Sequence, residues 1–383
     1  MKKMRLRFRY FIFFFLAGLT CISYGQTKPG YDVAVYYFPQ WHVDTANARH
    51  FGHDWTEWES LQAARPRFPG HLQPKVPLWG YEDEANLRVM SKKVQTAYTH
   101  GVNVFLFDWY YFNNGPFLQR PLEEAFMKVD SGRLKFAIMW ANHAVVTPTI
   151  FDSVIDICVN RYFKDPNYWM VDGEPYFCIY QLYTLIESFG TPEKAAAAVQ
   201  KFRDKAKAAG FKDIHLNAMQ WGLHMPDTMT ARPANELIDL FHVKSVDSYV
   251  WIHHTNMPHF PVTGYDYMMK DAIRYWDSAY KAFRVPYHPN VTMGWDASPR
   301  TDQTKPFVLG AYPNFAVLVG NTPEKFKKSL IAAKNFLDSK NPTHKIVTIN
   351  SWNEWTEGSY IEPDTATKMQ YLDAIKDVFG DKK

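Results

Sequence analysis

The sequence predicts an α/β fold, a single (β/α)8 TIM barrel with a long first βα loop. Eight apolar, β-branched or aromatic runs recur along the chain, the segments between them mostly carry helical periodicity, and no internal linker rich in Gly, Ser or Pro divides them. At 383 residues the chain could hold one large barrel or two ordinary domains, and the missing linker makes one the economical choice. A doubly wound open sheet would normally announce a Gly-rich phosphate turn after its first strand, and Phe38-Pro39-Gln40-Trp41 is not such a turn.

In order, the apolar runs place strands at residues 33–38, 104–108, 136–140, 176–180, 214–219, 248–251, 291–295 and 346–351. The periodic segments place helices at 84–100, 118–129, 150–163, 192–209, 235–241, 265–283, 323–339 and 366–379. Strand then helix, eight times, is the barrel order. The first connection, about 40–83, far exceeds the usual two to six residues and must carry structure or function of its own. It contains Trp55, Glu57, Trp58 and the Pro-punctuated Arg65-Pro66-Arg67-Phe68-Pro69-Gly70, which reads as a loop packed over the barrel mouth.

Charge and composition narrow the function. Lys2, Lys3, Arg5, Arg7 and Arg9 crowd the first nine residues, and setting those five aside turns the formal charge from +4 to −1. A broad nucleic-acid surface, which needs clustered Lys and Arg, is therefore not expected. The basic start, the apolar run from Tyr10 to Leu19 and the small residues Ser23 and Gly25 read as a secretory signal peptide over 1–25, leaving 26–383 as the barrel. The implied location is periplasmic or extracellular. Leu19-Thr20-Cys21 loosely resembles a lipoprotein box, so a lipid anchor at Cys21 is the second alternative to cleavage after Gly25. No downstream run approaches the roughly 20 apolar residues of a membrane span. Cys158 and Cys178, in a predicted helix and the following predicted strand, read as buried small hydrophobes rather than a disulfide.

The strand ends are where a barrel of this kind carries its chemistry. Trp41 follows strand 1, Asp108-Trp109-Tyr110 ends strand 2, and Trp140-Ala141-Asn142-His143 ends strand 3. Trp221 follows strand 5, Trp251 closes strand 6, Trp295-Asp296 closes strand 7, and Trp352-Asn353-Glu354-Trp355 follows strand 8. With 13 Trp and 17% aromatic residues in the chain, this repetition predicts an aromatic rim, flat faces for sugar rings with carboxylates and amides for hydroxyls. At least three of Trp41, Trp109, Trp140, Trp221, Trp251, Trp295 and Trp352 are expected to present an open ring face. An aromatic-rich core would give the same count.

The sharpest constellation is Glu354 and Glu357, three apart at the end of the last strand. A pair of carboxyl groups across a glycosidic bond does general acid and base or nucleophilic work. Along a continuous strand residues i and i+3 face opposite ways, so both reach one cavity only if the chain turns after Glu354, and Gly358 permits such a turn.

Glu354-Trp355-Thr356-Glu357-Gly358 resembles the E-W-x-E-G motif of glycoside hydrolase family 99, the retaining endo-α-mannosidases. The whole chain more closely resembles their relatives, the family named glycosyltransferase WbsX. That likeness rests on Tyr36-Tyr37-Phe38-Pro39-Gln40-Trp41-His42, Trp55-Thr56-Glu57-Trp58, Gly70-His71-Leu72-Gln73-Pro74, Gly294-Trp295-Asp296-Ala297-Ser298-Pro299-Arg300 and the run from Asn350 to Asp364. The resemblance implies that Glu354 deprotonates a sugar 2-hydroxyl, which attacks C1 to give an anhydro-sugar, while Glu357 is acid and then base. It implies retention of configuration and an oligosaccharide or polysaccharide substrate; no cofactor is expected, and no metal, since no ligand spacing appears. Relatives tend to show W-A-N-E-N-W-T after strand 3 where this chain has Trp140-Ala141-Asn142-His143-Ala144-Val145-Val146, so the subsite formed there is expected to differ from theirs.

Two other classes stay in view. A glycosyltransferase in polysaccharide synthesis would suit the family's name, but no G-x-x-x-x-G-K-[ST] or G-x-G-x-x-G is present to hold phosphates. A carbohydrate-binding protein without catalysis would keep the aromatic rim and have no need of two positioned carboxylates. No H-E-x-x-H, Cys/His ligand spacing or G-x-S-x-G appears.

Overall fold

The computed structural model describes residues 30–224 and 232–380. The predicted signal peptide, with Cys21, lies outside the described residues. Eight parallel barrel strands follow in order: β1 Tyr31–Tyr37, β2 Val104–Phe112, β3 Lys135–Trp140, β4 Glu174–Ile179, β5 His215–Met219, β6 Ser245–Asp247, β7 in two pieces, Tyr287–His288 and Asn290–Thr292, and β8 Lys345–Asn350. Each pairs with its chain neighbours, and β1 also pairs with β8.

The barrel closes through β7. Its first piece pairs with β6 (Tyr287 against Val246) and its second with β8 (Val291 against Ile349). Pro289 sits at the break: it has no N–H for the ladder, and its carbonyl accepts from the Thr348 amide at 3.1 Å. Because helices cover a parallel sheet, strands read as continuous buried runs, as Val33 to Tyr37 do. Inside the barrel, Tyr36 reaches across to Asp247 Oδ2 at 2.7 Å and Asn217 donates to the Ser245 hydroxyl at 2.9 Å.

Most predicted elements are found within a few residues. Strand 6 is a correction: the expected run at 248–251 lies beyond the true strand, and Trp251–His253 is a single 3-10 turn. The apolar signal of Tyr249-Val250-Trp251 comes from packing over the barrel top, whereas β6 carries only one apolar residue, Val246. The helix expected at 118–129 is a π turn, Pro121–Ala125, followed by a 3-10 turn, Phe126–Lys128. Between β4 and β5 stand two helices, Leu182–Phe189 and Pro192–Ala208.

The long first loop is pinned over the mouth. It holds two short helices, Thr45–Phe51, capped by the Asp44 carboxylate on the Ala46 amide at 2.7 Å, and Glu57–Ala63. His71 and Gln73 reach Asp296 after β7 at 2.8 and 2.7 Å, and Arg67 donates to the Lys305 carbonyl at 2.6 Å. Cys158 and Cys178 are buried free thiols.

Candidate active site

The C-terminal strand ends open into a cavity of about 610 Å³, within the usual range for small-molecule sites. It is lined by Asp108 and Tyr110 on β2, Tyr249 after β6, Arg300 after β7, and Glu354 and Glu357 after β8. The chain does turn after Glu354. Asn353–Glu354 pairs antiparallel with Ser359–Tyr360, the 3-10 turn Trp355–Glu357 lies between them, and Gly358 ends it at φ +64°. A Cβ at Gly358 would sit 2.6 Å from Asp296 Cβ, so the position admits no larger residue without displacing the loop after β7.

Arg300 organises the carboxylates. Its Nη2 lies 2.7 Å from Glu354 Oε1, its Nη1 2.5 Å from Glu357 Oε1, and its Nε 3.1 Å from Glu57 Oε1. The Tyr312 hydroxyl donates to Glu357 Oε1 at 2.7 Å. On the other side the Tyr249 hydroxyl lies 2.9 Å from Asp108 Oδ2 and 3.0 Å from Glu354 Oε2. Burial pushes the Glu354 carboxyl above the usual carboxylate range, and the charge of Glu357 adds to the rise while Arg300 and Tyr249 oppose it. Asp108 is pushed up by burial and then by Glu354, with only the Tyr249 hydroxyl opposing. Glu357 accepts hydrogen bonds from both Arg300 and Tyr312.

The aromatic rim is corrected. Of the seven tryptophans expected to surround the mouth, only Trp221 and Trp295 line the cavity. Trp41, Trp140, Trp251, Trp352 and Trp355 are 0% exposed and Trp109 2%, all packed beneath the loops. Each spends its indole N–H on the protein. Trp41 bonds the Asn353 carbonyl at 2.9 Å, Trp251 the Asn290 carbonyl at 2.8 Å, and Trp109 the Tyr162 hydroxyl at 3.1 Å. Trp140 reaches the Tyr111 carbonyl at 3.4 Å, and Trp352 and Trp355 share the two oxygens of Glu362 at 2.7 and 2.9 Å. A large apolar plate with one donor suits the gap where strands splay under loops, so the repetition at strand ends is a packing device.

Several predicted polar residues also act behind the cavity. Asn142 clamps Gln181 through both main-chain groups at 2.7 and 2.8 Å, and Asn353 does the same to Phe38 at 2.8 Å each way. Asp296 holds the first loop, and Glu57 ties Arg300 to the Thr356 hydroxyl at 2.8 Å. Trp55 stacks on Phe51 at 4.3 Å, away from the lining. Behind Asn353, Lys93 pairs with Glu84 at 2.6 Å and Glu362 at 2.5 Å, all three buried.

The aromatic lining is mostly tyrosine and phenylalanine: Phe38, Tyr110, Tyr180, Tyr249, Tyr312 and Phe315. Tyr180 directly follows β4 and Tyr249 lies two residues past β6, so position after a strand would have found them where residue type did not. The far end of the cavity is formed by His143, Tyr180, Gln181, Trp221 and His253. Here Trp221 is 40% exposed and stacks on His253, with ring centroids 5.0 Å apart. Among the described residues no three His, Cys, Asp or Glu side chains gather as a metal ion would need, and no helix is long and apolar enough to cross a membrane.

The fold is that of glycoside hydrolases. A glycoside hydrolase-like protein superposes with a TM-score of 0.61 at 15% identity, over 93% of this chain and 95% of its own. The family 99 endo-alpha-mannosidase from Bacteroides thetaiotaomicron, in complex with bis-tris-propane, gives 0.54 at 17% identity over 90% and 94%. A beta-glucosidase from Thermotoga maritima gives 0.51 at 9% identity over 93% and 99%. Two curated relatives, each called uncharacterized protein WxcX and from two strains of Xanthomonas campestris pv. campestris, are 27% and 26% identical over 92% and 93% of this chain. The chain spans about half the length of both, 50% in each case. Over residues 33–148 and 150–375 the sequence matches the family described as glycosyltransferase WbsX, and the chain belongs to that family.

Proposed function

We propose that the protein is a retaining glycoside hydrolase acting on α-linked, mannoside-like bonds in a glycan, with Glu354 and Glu357 as its catalytic pair. The observation that carries this is the convergence of both carboxyl groups on adjacent nitrogens of the Arg300 guanidinium inside one cavity. A binding protein has no need to bury two carboxylates and a cation together, since each costs several kcal/mol to desolvate before pairing repays it. A nucleotide-sugar donor is disfavoured by charge. Among the described residues Arg300 is the only Lys or Arg that lines the cavity, and three carboxylates already occupy it. A diphosphate would meet a net acidic wall.

In this reading Glu354 removes the proton of the sugar 2-hydroxyl as that oxygen attacks C1, and Glu357 protonates the departing oxygen, then activates water. A second reading exchanges the roles, because burial raises the Glu354 carboxyl. Activated aryl glycosides separate the two. Loss of the acid is rescued by a good leaving group and loss of the base is not, so rescue of Glu357→Gln supports the first assignment and rescue of Glu354→Gln the second. If neither variant loses turnover on a glycan, from a panel of α-linked ones, that the unmutated protein cleaves, the pair is misassigned; inverted product by NMR overturns retention, and no cleavage of any panel glycan by the unmutated protein would sink the hydrolase reading.

We also read residues 1–25 as an export signal, which places polysaccharide degradation outside the cytoplasm. The mature N-terminus, measured by mass spectrometry, is expected at Gln26; a lipid-modified Cys21 would assign the anchored form instead.

A further inference from the structure

Asp108 and Glu354 approach the same hydroxyl. The Tyr249 oxygen carries one hydrogen and lies 2.9 Å from one carboxyl oxygen and 3.0 Å from the other, with Asp108 2%, Tyr249 8% and Glu354 3% exposed. If both groups were ionised, one of them would face the tyrosine oxygen with no hydrogen between. One added proton resolves this: an acid O–H donates to the tyrosine oxygen, and the tyrosine O–H donates to the remaining carboxylate.

The donors present decide which carboxyl takes that proton. Glu354 has two, Arg300 Nη2 on Oε1 at 2.7 Å and Tyr249 on Oε2. Asp108 has Tyr249 alone, and its Oδ1 is buried with no partner. An ionised carboxylate left without donors in a buried place costs far more than a carboxylic acid there. We propose that Asp108 carries the proton these two carboxyl groups share across Tyr249, and that this keeps Glu354 ionised as the base of the site.

The other groups facing Asp108 agree. Glu357 adds negative charge from the segment after β8, Tyr110 beside it on β2 and Tyr180 and Cys178 on the β4 side are neutral, and Arg300 gives it no hydrogen bond. Burial and the charge of Glu354 both push the Asp108 carboxyl up. In the reaction, the O–H of the sugar hydroxyl breaks as an O–H forms on Glu354. The negative charge passes to the attacking oxygen, Asp108 stays neutral, and the reverse transfer restores Glu354 when the intermediate opens. Asp108 is thus a positioning residue that sets the charge of its neighbour.

The word base rests on the hydrolase reading; the site of the proton does not, and it is measurable without substrate. The full chain labelled with ¹³C at aspartate Cγ and glutamate Cδ is titrated by NMR, with Asp108→Asn and Glu354→Gln assigning the two signals. Should Asp108→Asn not fold, Asp108→Glu removes the same aspartate signal. The expected result is a protonated Asp108 and an ionised Glu354 at pH 7. Glu354→Gln should move the Asp108 titration to lower pH, because the charge that raises it is gone. An ionised Asp108 at pH 7, or a protonated Glu354 beside it, overturns the proposal. Absence of hydrolysis with this titration intact would count against the hydrolase reading alone.

Discussion

The two ends of the cavity share one volume and little else. Around Arg300, four carboxyl groups, one guanidinium and two tyrosine hydroxyls hold one another at hydrogen-bond distance, and Asn353, Lys93 and the buried tryptophans brace them from behind. At the β3–β5 end, His143, Gln181, Trp221 and His253 present uncharged faces, and the Tyr180 hydroxyl reaches His253 Nε2 only at 3.5 Å. The first end cannot move one group without unpairing another; the second can. Chemistry belongs where geometry is over-determined; under the proposed function, the choice of sugar would fall to the loose end. His143, where the sequence was expected to depart from related chains, lies at the loose end.

The largest effect should come from the braced end. Glu354→Gln and Glu357→Gln are each expected to lower kcat by about 10²–10⁴-fold, the usual worth of general acid-base assistance, with KM little changed. Steady-state kinetics on the best panel substrate checks this, and a change confined to KM would place the chemistry elsewhere.

Next comes the brace. Among the described residues Lys93 is the only cation between Glu84 and Glu362, at 2.6 and 2.5 Å. Lys93→Met leaves both carboxylates buried without it and should cost about 3–5 kcal/mol of stability. The loss has a sign in pH. Burial already raises the Glu84 carboxyl and Lys93 opposes the rise, so in the variant the folded-state value climbs further above the unfolded one, and stability is lost as pH climbs and recovered as Glu84 protonates on acidification. Denaturant melts at pH 8 and pH 5 should show the larger deficit at pH 8; equal deficits would mean that lost packing, not charge, is responsible.

How far the sequence foretold these two ends differs for a physical reason. The braced end was legible because its residues are chemically unusual: Glu354, Glu357 and Gly358 announce a turn with paired carboxylates, and Asp108 and Arg300 sit in the motifs around them. The tryptophans misled because the indole serves burial and sugar stacking equally well. Only the partner of its N–H tells them apart, and Glu362 or the Asn290 carbonyl is known only in three dimensions. Strand 6 misled for a related reason. Ser245-Val246-Asp247 is a barrel strand because its neighbours pair with it, and Asp247 reaches Tyr36 inside the barrel, where a polar pair is as acceptable as an apolar one. His253 and Tyr312 carry no local signal at all, since what makes them lining residues is the path of the loops.

At the loose end the effects should be smaller and fall on binding. Trp221→Ala removes a half-open ring that leans on His253 and reaches the cavity. Loss of one aromatic contact worth about 0.5–1.5 kcal/mol predicts a KM raised roughly 2- to 12-fold. Turnover at saturation should stay within about twofold and the melting temperature close to unchanged. A fall in kcat comparable to that of Glu357→Gln would show that the two ends are not separable.

The smallest expected effect is electrical silence. Burial, with the neighbouring His143 adding to it, pushes the His253 imidazole down to about 4. A group so depressed is neutral from pH 5 to pH 8 and contributes nothing to the pH dependence of binding in that range, leaving any pH limb in kcat/KM to the carboxylates. Trp221 reports this directly, because an imidazolium 5.0 Å from its ring quenches indole fluorescence where a neutral imidazole does so weakly. Subtracting the emission of Trp221→Phe isolates that signal from the other tryptophans. The quench should set in only as pH falls toward 4 and disappear in His253→Gln. A midpoint near the ordinary histidine value of about 6.5 would instead place His253 in water. The far end would then be a charged, pH-responsive subsite, and the contrast between the two ends would lose its basis.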